Sequence, residues 1–134
     1  MVFEGTAVIV AGGLGTRART MTGEELPKAL LPIGGVPIIG RQIKVLAEQG
    51  FSKIVILTGY LGHVLEEYIK STSFPNNPDI VLHLEAQTLG TAGAVITARD
   101  LLTSKQLVIV FGDLLFNLDF AMLLEQHRQT QAAV

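Results

Sequence analysis

Ala7-Val8-Ile9-Val10-Ala11-Gly12-Gly13-Leu14-Gly15-Thr16-Arg17 is the stretch that decides how this chain folds. Its first four residues are apolar and mostly β-branched, the pattern of a buried strand. Glycine then follows glycine, so the backbone turns sharply and presents bare N–H groups. Such groups form an anion-binding concavity, and Arg17 adds a fork of donors suited to phosphate oxygens. Read alone, the stretch fits a phosphate cradle or a glycine-rich turn equally well, because short glycine motifs recur by chance.

Four strand patterns alternate with helical ones. The strands are predicted over Ala7–Val10, Lys53–Thr58, Ile80–Leu84 and Gln106–Phe111. A helix from Pro37 to Gln49 would place Ile39, Ile43, Leu46 and Ala47 on one face, with Pro37 in its first turn and Gly50 just past its end. A second runs from Gly62 to Lys70, pairing Val64 with Tyr68 and Leu65 with Ile69, and a third from Thr91 to Leu102. A fourth is capped by Asp119 and buries Phe120, Leu123 and Leu124. Alternating strands and helices predict an α/β fold: a three-layer, Rossmann-like, mostly parallel sheet with helices on both faces. In such sheets ligands bind beyond the carboxyl ends of the strands. The Gly12–Arg17 loop, Glu85 and Asp113 each follow a strand, so all three fall on one edge.

Composition narrows the function. The chain has 134 residues, 49% of them apolar, enough for one domain with a buried core. A net charge of −2 without a basic block argues against a nucleic-acid surface. No cysteine is present, which removes disulfides, thiolate metal sites and a cysteine nucleophile. His63, His83 and His127 lack metal-ligand spacing and read as ordinary packing or surface residues. Neither a membrane-length apolar run nor a signal-peptide pattern is seen, so no membrane partner and a cytoplasmic location are expected.

The ordered set Gly12–Arg17, Thr22, Pro27-Lys28, Leu31–Gly35, Glu85, Leu89–Gly93 and Gly112-Asp113 resembles the sugar-1-phosphate nucleotidyltransferases, whose opening signature is GGxGTR, a short loop, then PK. The resemblance runs from Thr6 to the end of the chain. Gly112–Asp119 is most similar to the mannose- and heptose-1-phosphate guanylyltransferase branch. This implies joining a sugar 1-phosphate to a nucleoside triphosphate, giving a nucleotide-sugar and pyrophosphate, with Mg²⁺ as cofactor. Ala11, Gly12, Gly13, Gly15, Thr16 and Arg17 would hold the triphosphate, and Lys28 would act with Arg17 on the phosphates. Asp113 would bind the metal, since Mg²⁺ takes one or two carboxylates plus substrate phosphates. Glu85, with Gly90 and Thr91, would recognise the base. A glutamate only accepts hydrogen bonds, so it suits the adjacent N1–H and N2–H donors of guanine, and GTP is the favoured partner. Relatives that use uridine or thymidine nucleotides commonly carry glutamine there.

Two departures from the family pattern stand out: Ala18–Thr22 where relatives have Leu-Arg-Pro-Leu-Thr, and Gly23-Glu24-Glu25, which lengthens the loop. Family catalytic domains continue beyond this length into a sugar-binding half with a second metal aspartate. Residues 1–134 are therefore expected to form the nucleotide-binding half of a longer domain, compatible with a homo-oligomer. The alternative is a nucleotide-binding or regulatory module without turnover. A dinucleotide-binding domain is disfavoured, because Pro27 and Pro32 interrupt the region after the loop and the second strand ends at Thr58-Gly59 rather than at an acidic residue. The phosphate-loop string G-x-x-x-x-G-K-[ST] is absent.

Overall fold

Strand β1 (Thr6–Val10) lies inside a four-stranded sheet, between β4 (Lys53–Thr58) and β6 (Leu107–Phe111), with β5 (Asp79–Leu84) beyond β4. All three pairings are parallel, with Val8 opposite both Val55 and Ile109. The computed structural model describes residues 3–13 and 26–134. The four main strands match the sequence expectation to within a residue or so, because each is a β-branched run bounded by polar or glycine residues.

Side chains alternate across the sheet. Ala7, Ile9, Ile54, Ile56 and Val108 share one core with Ile39, Ile43 and Leu46 of α1 (Ile38–Glu48), Leu65 and Ile69 of α2 (Gly62–Ser71), and Phe120 and Leu124 of α4 (Phe120–Thr130). Val8, Val55 and Leu57 face the other way, against Ala94 and Ala98 in and just after α3 (Gly90–Thr97). Among the described residues helices thus cover both faces, three on one and one on the other. Full burial of each large aliphatic side chain contributes about 1.5–3 kcal/mol, which makes the three-helix face the main source of stability. Phe120 stands edge-on to Phe51 at 5.6 Å and to Phe116 at 5.5 Å, so aromatic packing fixes where α4 begins.

Local signals behave as their chemistry requires. At the end of α1 the Gly50 N–H bonds to the Ala47 carbonyl and the Phe51 N–H to that of Leu46, the paired bonds of a Schellman cap. Asp119 caps α4 by accepting from the Met122 N–H at 3.0 Å. Four expectations need correction. Pro37 precedes α1 as its N-cap instead of lying in its first turn. Before it, β2 (Pro32–Ile33) and β3 (Val36–Pro37) form an unforeseen hairpin around Gly34-Gly35. Helix α3 stops at Thr97, and the chain tightens into a 3₁₀ turn at Arg99–Leu101, which brings Leu101 and Leu102 onto the second core. Leu123 is 45% exposed, because α4 turns only Phe120 and Leu124 inward.

Candidate functional site

Strands β1, β5 and β6 release the chain on one edge of the sheet, and each exit stays tied to a neighbouring strand. The Ala11 N–H donates to the Leu57 carbonyl at 2.7 Å, Glu85 N–H to Thr58 at 2.7 Å, and Gly112 N–H to Val10 at 2.8 Å. The backbone at these exits is therefore held by the sheet rather than left to the loops.

A cavity of about 260 Å³ opens between them. Ala11, Gly12, Gly13, Lys28, Glu85, Gly90, Thr91 and Asp113 all line it, so residues scattered over a hundred positions of sequence converge, as strand order predicted for the glycine loop, Glu85 and Asp113. Gly15, Thr16 and Arg17, together with Thr22 and the two departures at 18–25, lie outside the described residues. Thr88 and Ala29 also line the cavity, and no sequence signal had distinguished them.

Two glycines set the shape of the site. A Cβ at Gly12 would stand 3.1 Å from Glu85 Oε1 and 3.4 Å from its Cδ, so only a bare backbone lets that carboxylate seat there. One at Gly112 would meet Ala11 Cβ and the Val10 carbonyl, both at 3.1 Å, so β1 and β6 close up only around glycine. Asp113 is thereby delivered directly beside the β1 exit.

Opposite charges meet across the cavity mouth. Lys28 Nζ donates to Asp113 Oδ2 at 2.9 Å, with the two side chains 44% and 39% exposed. Lys28 opens the 3₁₀ turn Lys28–Leu30, directly after Pro27, which has φ −56°. An ion pair this open contributes at most about 1 kcal/mol to stability, so an incoming anion or cation can separate the partners at little cost.

Glu85 is the other charged group. Its Oε1 is buried and has no hydrogen-bond partner among the described residues. Burial raises the carboxyl from its ordinary value of 4.5, and the charge interaction with nearby His83 pulls it part of the way back. His83, expected to be ordinary, bonds to Thr97 Oγ1 at 3.2 Å and so sits where its charge reaches Glu85. A buried acceptor without a donor is costly unless a ligand supplies one. Gly90 and Thr91 form the first turn of α3, whose leading N–H groups have no intrahelical partner and face acceptors well. The helix is preceded by Leu89, and no side chain caps it.

The arrangement offers a cation for phosphate, an acceptor-only carboxylate for a pair of donors, and a second carboxylate for a hard metal ion. No group of three or more metal-ligating side chains occurs among the described residues, and no helix among them is long and apolar enough to cross a membrane.

Known proteins resemble this chain in sequence and fold. A D-glycero-alpha-D-manno-heptose 1-phosphate guanylyltransferase from Aneurinibacillus thermoaerophilus is 34% identical over 121 residues, covering 90% of this chain and 51% of the relative. A mannose-1-phosphate guanyltransferase from Schizosaccharomyces pombe is 34% identical over 124 residues, covering 91% of this chain and 34% of the relative. The crystal structure of HddC from Yersinia pseudotuberculosis complexed with GMP-PN superposes with a TM-score of 0.79 at 29% identity, over 92% of this chain and 54% of that one. The chain thus spans from a third to about half the length of the relatives it matches. Residues 6–134 match the family described as nucleotidyl transferase, and the chain belongs to that family.

Proposed function

We propose that the protein joins a sugar 1-phosphate to a nucleoside triphosphate, with GTP preferred, and releases pyrophosphate. One observation carries the reading: a phosphate-suited cation, an exposed carboxylate and a buried acceptor-only carboxylate without a donor line a single cavity at the carboxyl edge of the sheet. The names of the similar proteins, two guanylyltransferases among them, support the same class of reaction.

No side chain need become covalently bonded. A phosphate oxygen of the sugar 1-phosphate forms a bond to the α-phosphorus as the bond from that phosphorus to the bridging oxygen breaks, and pyrophosphate leaves with the electron pair. Such a reaction depends on positioning and charge neutralisation. Lys28 supplies a point charge to the α-phosphate and the incoming phosphate once it is released from Asp113. Backbone N–H groups of the Gly12-Gly13 segment and the start of α3 orient the phosphates and ribose. Glu85 accepts from guanine N1–H and N2–H, which relieves its unpartnered oxygen. Arg17 is assigned to the triphosphate from its place in the glycine loop.

Mg²⁺ fits this donor set. Asp113 offers a hard, solvent-accessible carboxylate beside the phosphate cation, and Mg²⁺ is held by one or two carboxylates plus substrate oxygens and water. When bound, it neutralises phosphate charge.

Pyrophosphate release from the full-length protein, measured across hexose and heptose 1-phosphates with GTP, UTP, dTTP, CTP and ATP, tests the proposal. Turnover that needs both a sugar 1-phosphate and a triphosphate is expected, fastest with GTP. Absence of turnover with every pair, in folded protein, would overturn it.

A further inference from the structure

Helix α1 presents Ile39, Ile43 and Leu46 to the main core, and Gln42 lies on the same face, only 1% exposed. A leucine would fill such a position without any polar penalty. Instead the Gln42 side-chain amide donates twice, to the Phe111 carbonyl at 2.7 Å and to the Leu114 carbonyl at 2.6 Å. Those carbonyls bracket Gly112-Asp113. The orientation of the amide is fixed, since the flipped form would set its oxygen against two carbonyl oxygens. Its own Oε1 has no partner among the described residues. The fold therefore keeps an unsatisfied buried acceptor in order to place two donors on the turn that carries Asp113.

Seven residues on, Gln49 holds the far end of the same loop. Its Nε2 donates to the Leu118 carbonyl at 2.7 Å, and its Oε1 accepts from the Phe120 N–H at 2.9 Å. Residues 112–119 are thus pinned at one end to α1 and at the other to its C-cap residue, and Phe116 packs edge-on to Phe120 between them. Gln49 is satisfied in both roles and sits where α4 starts. Of the two glutamines, it is Gln42 that acts on the turn bearing the carboxylate.

We infer that Gln42 is a positioning residue: its two amide bonds to Phe111 and Leu114 hold the backbone on either side of Asp113, so that this carboxylate is set for the metal. The inference rests on the assignment of Asp113 to Mg²⁺. Outer-shell groups that orient a ligand typically change metal affinity by about 10- to 100-fold when removed. Gln42 does not line the cavity, so its loss should act on metal affinity and turnover while the nucleotide is still held by Glu85 and Lys28.

The test adds Mn²⁺ to the full-length protein saturated with a non-hydrolysable GTP analogue and reads water-proton relaxation. Asp113→Asn is run first. If it leaves Mn²⁺ affinity at the wild-type value, the metal assignment fails and the inference falls with it. Given a loss with Asp113→Asn, Gln42→Met, which keeps the volume and removes both donors, is expected to weaken Mn²⁺ by about tenfold. It should lower kcat by a similar factor with the triphosphate KM within about threefold, a split that general loosening of the core would not produce. Wild-type Mn²⁺ affinity and kcat in folded Gln42→Met would overturn the proposal. Should that variant fail to fold, hydrogen exchange of the Gln42 side-chain amide in the wild-type protein decides. Slow exchange is expected for two buried bonds, and exchange at the rate of an exposed glutamine would overturn it.

Discussion

Replacing Glu85 with glutamine changes two atoms of the side chain and should reverse two properties at once. In the ligand-free protein Glu85 Oε1 is buried against Gly12 with no donor among the described residues, and burial has raised its carboxyl. Between the ordinary value of 4.5 and that raised value, the folded protein binds more protons than the unfolded chain. Stability therefore falls as pH rises through this window and stays lowered at neutral pH. Glu85→Gln removes the ionisation, so the ligand-free variant should melt at or above the wild-type temperature at pH 7. That advantage should vanish below about pH 4.5.

Function should move the other way. The carboxylate can accept from both guanine donors, whereas an amide accepts one and sets its own N–H₂ against the other. One charge-assisted bond is lost, about 1.5–3 kcal/mol, or roughly 10- to 150-fold in kcat/KM for GTP. The same amide can pair with N3–H and a carbonyl of uracil or thymine, so relative use of UTP and dTTP should rise. Direct competition between GTP and UTP on the full-length protein reads the ratio. A ratio within about threefold of wild type would refute the pairing argument, as would a wild-type preference for UTP or dTTP. Glu85 would then serve another role, such as holding the Leu89–Gly93 turn.

Gly12→Ala would press a methyl group against Glu85 Oε1 at 3.1 Å and displace the carboxylate; we expect kcat/KM for GTP to fall by about 10- to 100-fold in steady-state assays, with the melting temperature nearly unchanged. Lys28→Ala should weaken triphosphate binding by about 1.5–3 kcal/mol in calorimetric titration, while the loss of its exposed pair with Asp113 leaves stability within about 1 kcal/mol. Asp119→Ala deletes the cap on the Met122 N–H and should lower stability by about 1 kcal/mol in urea titration without changing nucleotide affinity.

Much of the fold could be read from the chain because its strongest signals are local. Val8, Ile9, Val55 and Ile56 are β-branched runs that only a buried strand accommodates, and Gly50 closes α1 by the cap its position announced. Glu85 and Asp113 were legible as neighbours on one sheet edge because each follows a strand, and parallel order sends every strand end to one edge. The paired glycines of the Gly34-Gly35 hairpin, both at positive φ, carried a turn signal that was missed beside the neighbouring prolines.

Other features depend on partners distant in sequence. Gln42 reads as one polar residue in an apolar stripe until its two carbonyl partners, 69 and 72 residues away, are placed on it. The shortening of α3 follows from Leu101 and Leu102 turning onto the second core, which no helical period encodes. Leu123 obeys helical spacing yet stays exposed, since α4 packs through a narrow stripe of Phe120 and Leu124.

The destination of the α-phosphorus distinguishes nucleotidyl transfer from every other fate of the triphosphate. Full-length protein given GTP labelled at the α-phosphate, a sugar 1-phosphate and Mg²⁺ should transfer the label into a phosphatase-resistant nucleotide-sugar, with unlabelled pyrophosphate formed in equal amount. Label remaining in GTP, or released as GDP or GMP without sugar attached, would contradict it.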